Sequence, residues 1–404
     1  AITPHDDASI GVLDVGDQVV MPGLVDTHVH INEPGRTQWE GFATATKAAA
    51  AGGVTTVVDM PLNCIPATTT AAALSEKLLH AAPNAWVDLA YWGGIIPGSE
   101  KHLRELAAAG IVGAKCFLID SGVEEFPAVT LDQLRPNAQI MAELKIPLLA
   151  HAELDLGAPE GGDPRKYATF LASRPPAWEV AAINALIALS RDTGVAVHIV
   201  HLSAAEALPI IAAAKSEGLP ITAETCPHYL TLTAESVPDG ETSFKCCPPI
   251  RGEANQEALW AGLADGTIDM ITSDHSPCTP HLKLLERGDF MAAWGGISSL
   301  QLGLGGIYTA AIQRGHSIAQ ISNWMSLQPA KLAGLADRKG HLSVGADADF
   351  VVWSPEKVYQ VTPEMLKQRH TITPYNGTSL FGVVHQTWLR GTVVFKNGSI
   401  EGIP

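Results

Sequence analysis

The sequence predicts an α/β chain, a (β/α)8 barrel with a small composite β-domain, and three observations predict it. Eight short β-type runs recur between residues 23 and 275, most followed by an Ala/Leu-rich helical stretch. Strands that alternate with helices pair in parallel, and eight such units in about 250 residues is barrel size. No Gly-rich phosphate turn follows the first run, which disfavours a doubly wound sheet.

In order the runs are "GLVDTHVH" (23–30), "GVTTVVDM" (53–60), "WVDLAYWG" (86–93) and "IVGAKCFL" (111–118). They continue with "IPLLAHAE" (146–153), "VAVHIVHL" (195–202), "PITAETCP" (220–227) and "IDMITSDH" (268–275). Helices are expected over 38–51, 69–81, 131–144, 177–191, 204–217 and 253–264, with two more near 297–313 and 317–335. From Leu342 the texture becomes β-rich with turn residues, as in "VGADADFVVWSP" and "TWLRGTVVFKNGSI". The "VLDVGDQVV" run (12–20) completes the same small domain. The expected division is therefore 1–21, 22–341 (the barrel) and 342–404. The chain begins "AITPHDDAS" without a Met, so its start reads as processed or trimmed; the N-terminal share of the β-domain is also expected to be incomplete.

Composition narrows the function. Hydrophobic residues make up 46% and charged residues 17% of 404, which is globular. A net charge of −16 leaves no basic stripe to neutralise phosphates, so nucleic acid is excluded as a partner. No apolar run is long enough for a membrane and no signal segment opens the chain, so a cytoplasmic protein is expected. The six cysteines form no CxxC pair and read as reduced thiols.

One residue is out of place. In "VGAKCFLI" (112–119) Lys115 stands in a doubly buried strand with no acidic residue in the run. Its amine is either driven neutral and used, or snorkels to water. Barrel chemistry gathers where strands end. There the runs place His28 and His30, whose alternation points both rings one way, then Lys115, His151, His201 and Asp274. Singly each has a bland reading as a surface pair, a core histidine or a helix cap; together they read as a metal centre. Four histidines and an aspartate suit zinc or a similar divalent ion. Five ligands are too many for one open catalytic site and few for two. A neutral Lys115 that adds carbon dioxide becomes a carbamate, whose two oxygens could bridge two ions.

This set, running from "PGLVDTHVH" to "GADADFVVW", resembles the amidohydrolase superfamily, in its cyclic-amidase branch of dihydroorotases, hydantoinases and allantoinases. The resemblance implies a TIM-type metallo-dependent hydrolase barrel. It implies two divalent ions per chain, zinc first, with manganese or cobalt as alternatives. His28, His30 and Asp274 would hold one ion, His151 and His201 the other, and N6-carboxylated Lys115 both. Asp274 would be the catalytic base and then acid. A homotetramer is expected on the same ground.

The substrate reading follows the neighbours of these ligands. Asn32 stands where dihydroorotases carry a carboxylate-binding arginine, and Arg36 reads as a surface or helix-start residue. No tyrosine follows Lys115 as in hydantoinases. The stretches "EPGRTQWEGF", "MPLNCIPATT", "SRPPAWEV", "CPHYL", "CCPPIR", "SDHSPC" and "AWGGISSLQ" instead resemble allantoinases. The implied substrate is allantoin, opened to allantoate in purine breakdown. Its neutral amide groups fit Asn63, Ser276, Trp294 and main-chain atoms around Cys247 and Gly295, each of which could equally only cap, pack or turn. His228 and His275 read as support for the ligands, His198 as a core histidine, and Cys116 and Cys278 as packing. A sister cyclic amidase (hydantoinase, dihydropyrimidinase or dihydroorotase) and a metal-free scaffold stay open at this point.

Overall fold

Runs of Val, Leu and Thr covered on both faces build the centre of the molecule. A computed structural model describes residues 12–402. Residues 1–11, part of the expected N-terminal share of the β-domain, lie outside the described residues. After β1 (Val19–Pro22), the strands β2 (Leu24–Val29) and β3 (Val54–Asp59) are buried at every position, as parallel strands between helices must be. They pair with β4 (Asp88–Tyr91) in a parallel arc. A second parallel arc runs through β5 (Gly93–Gly94), β6 (Ala114–Phe117), β7 (Leu148–His151), β8 (Val197–Ile199), β9 (Ile221–Thr225) and β10 (Met270–Ile271).

The two arcs form one barrel. β4 and β5 are a single run interrupted at Trp92, whose amide donates to the Asp59 carbonyl at 3.0 Å and whose indole donates to the Thr27 carbonyl at 2.7 Å. On the other side His275 bridges Val29, and the His30 amide donates to the His275 carbonyl at 2.8 Å. The ring thus closes beside His28 and His30.

The outer helices follow their start and stop signals. Leu131–Leu144 lies where the apolar period places it and begins with a capping box of Thr130 and Gln133. The expected helix over 38–51 begins only at Phe42. Gly41 before it has φ +104°, and the Glu33 carboxylate accepts the Phe42 amide at 2.8 Å. The expected 317–335 helix is split into Ile318–Ser322, a π turn and Gln328–Leu332; Pro329 has no amide to donate there. Three short helices, Leu103–Ala108, Tyr167–Ala172 and Pro227–Thr231, were not expected, because five or six residues show no usable period.

The small domain is an antiparallel sheet in the order β1, β11 (Phe350–Gln360), β12 (Ser379–Leu389), β13 (Thr392–Lys396) and β14 (Ser399–Ile400). β1 enters it opposite Trp353, which is fully buried, and leads directly into β2.

One buried ion pair ties the scaffold to the site. Asp59, at the end of β3, accepts the Ile31 amide at 2.9 Å and pairs with Lys77 at 2.5 Å; both side chains are buried. Breaking such a pair strands a charge, at about 3–5 kcal/mol. Lys77→Met is expected to lower unfolding stability by that amount, measured by urea denaturation, and to loosen the strand end that carries His30.

Candidate metal centre

Four histidines, one lysine and one aspartate from five strands converge at the C-terminal mouth of the barrel. Lys115, on β6, is fully buried with its Nζ 3.1 Å from His28 Nε2. Asp274 Oδ1 lies 3.2 Å from His28 Nε2 and 3.5 Å from His30 Nε2. His151 Nδ1 faces His201 Nε2 at 3.0 Å. The ring centroids of His28 and His201 are 5.3 Å apart, so the two groups adjoin. His201 and Asp274 hold φ values of +39° and +43°, left-handed backbone that a non-glycine residue adopts only when its surroundings force it.

Three of the four rings, those of His28, His30 and His151, are oriented from behind. His28 Nδ1 meets Glu224 Oε1 in a short contact, and the other Glu224 oxygen takes His198 Nε2 at 3.0 Å. His151 Nε2 meets Glu153 at 2.7 Å, and Arg174 grips both oxygens of that carboxylate. His30 Nδ1 lies 3.4 Å from the Asn63 amide nitrogen. These partners put the N–H on the outer nitrogen of His28 and His151 and leave a lone pair facing inward. His275 is used elsewhere, toward Glu40 at 3.3 Å and the Ser299 amide at 3.2 Å.

The electrostatics are those of ligands. Burial lowers the His30 imidazole to about 3, lowers His151, and holds His201 well below its ordinary value, so all three are neutral. Burial also brings the Lys115 ammonium down to about 8, against the pull of Asp274 and Glu224. Burial alone would raise the Asp274 and Glu224 carboxyls, but the adjoining histidines hold both well below the usual range. Hydrogen bonds from His151 and Arg174 keep Glu153 at about 2 in spite of its burial.

The donor set fits divalent ions. The imidazoles of His30, His151 and His201 are neutral, carboxylates stand behind His28 and His151, and His201 Nδ1 is buried without a partner. His28, His30 and Asp274 offer ligand atoms within 4.8 Å of one another.

A cavity of about 300 Å³ opens above these residues. Asn63, Cys247, Ser276, Trp294 and Gly295 all line it. Asn63 Oδ1 and Trp294 Nε1 are buried there without partners. The wall is tight, for a Cβ on Gly296 would lie 2.2 Å from the Ser276 carbonyl oxygen. Arg36 does not line the cavity; it pairs with Glu125 and donates to the Asn63 carbonyl at 3.0 Å.

Four functional neighbours were missed in the sequence: Glu224, Glu153, Arg174 and Lys245. Lys245 and Arg174 line the cavity as cations, and Lys245 donates to the carbonyls of Met291 and Ala293. A signal existed for Glu224, an acid within the β-run "PITAETCP" as odd as Lys115 in its own. Glu224→Gln is expected to weaken metal affinity about 10–100-fold while the chain stays folded, read by competition with a chelator of known affinity.

Comparison with known proteins now decides the family. The sequence pattern of the amidohydrolase family matches residues 19–394. The chain belongs to the amidohydrolase family. It is 52% identical to the allantoinase of Streptomyces avermitilis, over 98% of this chain and 90% of that protein. It is 45% identical to the allantoinase of Arabidopsis thaliana, over 96% of this chain and 80% of that protein. Among solved structures, the L-hydantoinase (dihydropyrimidinase) from Arthrobacter aurescens superposes with a TM-score of 0.91 at 30% identity, covering 98% of this chain and 90% of that one. As an amidohydrolase the chain is a metal-dependent enzyme, and the mouth of its barrel holds candidate ligands for divalent ions. No helix among its described residues is long and apolar enough to cross a membrane.

Proposed function

We propose that this chain hydrolyses the hydantoin ring amide of allantoin to give allantoate, a step of purine breakdown. The observation that carries the reading is the 52% identity with an allantoinase over 98% of the chain. The metal ligands proposed are His28, His30 and Asp274 for one ion and His151 and His201 for the other, with Lys115 between them. Zinc is the proposed ion, with manganese or cobalt as substitutes.

Bound there, the ions would polarise the ring carbonyl and make water nucleophilic near neutral pH. The chain's own residues do the rest. The Lys115 amine, neutral in an appreciable fraction at pH 7–8, forms an N–C bond to carbon dioxide and releases a proton to solvent. A costly buried cation becomes an anionic ligand. Asp274, whose carboxyl lies well below the usual range, takes the proton of the attacking water and returns it to the leaving ring nitrogen. Glu224 and Glu153 hold the rings of His28 and His151 in the tautomer this needs. Asn63, Ser276, Trp294 and the main chain at Cys247 and Gly295 contact the neutral ring and its ureido arm. Asn63 Oδ1 and Trp294 Nε1 supply the acceptor and the donor.

A homotetramer rests on the family resemblance, and a cytoplasmic location on the sequence texture. The domain division at 21/22 and 341/342 is supported by the pairing of β1 with β11.

The test is a set of initial rates on allantoin, dihydroorotate and plain hydantoin, with protein loaded with zinc, manganese or cobalt in bicarbonate. A strong preference for allantoin is expected. Preference for another ring would overturn the substrate and leave the metal chemistry standing.

A further inference from the structure

Behind Asp274 lies a group that the proposed reaction does not use. Cys226 and His228 sit at the end of β9 and in the short helix Pro227–Thr231, and both are fully buried. Cys226, His228 and Asp274 place one ligand atom each within 4.8 Å of one another. His228 is the odd member. Both of its ring nitrogens are buried and neither has a hydrogen-bond partner. A buried imidazole ordinarily satisfies at least one nitrogen, and leaving both unmade is costly. His198 shows the ordinary case, bonded on both sides to Thr222 and Glu224.

We propose that Cys226, His228 and Asp274 form a further metal site, selective for a borderline or soft divalent ion such as zinc, cobalt or cadmium. Thiolate, imidazole and carboxylate are a mixed set that such ions favour. Around one tetrahedral ion, with bonds of about 2.0–2.3 Å, ligand atoms lie about 3.3–3.8 Å apart. Small side-chain rotations therefore draw the three together. The surroundings are acidic, with Asp274, Glu224 and Asp26 all near the thiol. On binding, the Cys226 S–H proton leaves to solvent as the sulfur–metal bond forms. Asp274 can take part because a carboxylate has two oxygens, and Oδ1 is the one facing His28 and His30.

The consequence for the enzyme is inhibition by excess ion. An ion held here fixes the carboxylate that must carry the proton. That consequence rests on the role proposed for Asp274; the binding does not, and it has a readout of its own. The histidine, carbamate and aspartate ligands of the two proposed catalytic ions contain no sulfur. A thiolate-to-cobalt charge-transfer band in the near ultraviolet therefore reports only a site with a cysteine.

The experiment is a cobalt(II) titration of the chelator-stripped full chain in bicarbonate, followed by absorbance and by bound-metal analysis. The band is expected to grow after two equivalents are bound, with uptake reaching three. Cys226→Ser abolishes the band and stops uptake at two. His228→Gln keeps the thiol and shifts the band's midpoint to about tenfold higher cobalt. Excess zinc should inhibit the wild-type protein and spare Cys226→Ser. Absence of the band in the wild-type protein, or its survival in Cys226→Ser, overturns the site. If Cys226→Ser does not fold, an unshifted midpoint in His228→Gln overturns it instead. A chain that turned over none of the three rings could still show the band, so failure of the substrate reading and failure of this site are separable.

Discussion

Lys115→Ala is expected to lower kcat/KM on allantoin by at least about a thousandfold, or ~4 kcal/mol of transition-state stabilisation. The size follows from what the side chain does. It is wholly buried, 3.1 Å from His28 Nε2, and in the proposed carbamate form it would be the one ligand shared by both ions. Without it the two proposed ions would lose the group expected between them, and with it the activation of water that a two-metal site supplies. The side chain removed leaves room for a small carboxylate, which the two proposed ions would attract. Added acetate or propionate is therefore expected to restore part of the rate, in proportion to its concentration. Full activity of Lys115→Ala without added acid would remove the carbamate from the mechanism.

Asp274→Asn should cost about 10²–10⁴ in kcat, the usual range for a positioned acid–base group. Asparagine keeps the volume and one oxygen donor, so bound metal is expected to fall far less than rate. The pairing of these two readouts distinguishes a proton carrier from a mere ligand. A loss of metal equal to the loss of rate would make Asp274 only a ligand. The two substitutions also differ in rescue, since no small acid can enter the space that asparagine fills.

How much of this was legible in the sequence depends on the range of the interactions involved. Alternating β-runs and Ala/Leu-rich stretches are local, and the eight parallel strands stand where those runs are. The placement of donors at strand ends is also local, and the side chains of His28, His30, Lys115, His151, His201 and Asp274 do come together in space. Helix starts were less readable. Phe42 begins its helix because Glu33, nine residues away, receives its amide, and no periodicity shows that.

The supporting carboxylates were hidden for the same reason. Lys115 has no acid in its own run; the charges that act on it, Asp274 and Glu224, come from other strands. Glu224 reaches His28 across 196 residues of chain. Glu153 follows His151 by two residues, close enough to notice, but its role depends on Arg174 closing over it from outside the strand. Residue chemistry was therefore readable before residue partnership.

The measurement that most directly tests the two-ion centre is a crystal structure of the zinc-loaded protein in bicarbonate, with anomalous data at the zinc edge. The account predicts two anomalous peaks between the His28–His30 and His151–His201 pairs, and extra density continuous with Lys115 Nζ reaching both. A single peak, or a bare Lys115 amine beside two ions, would contradict it.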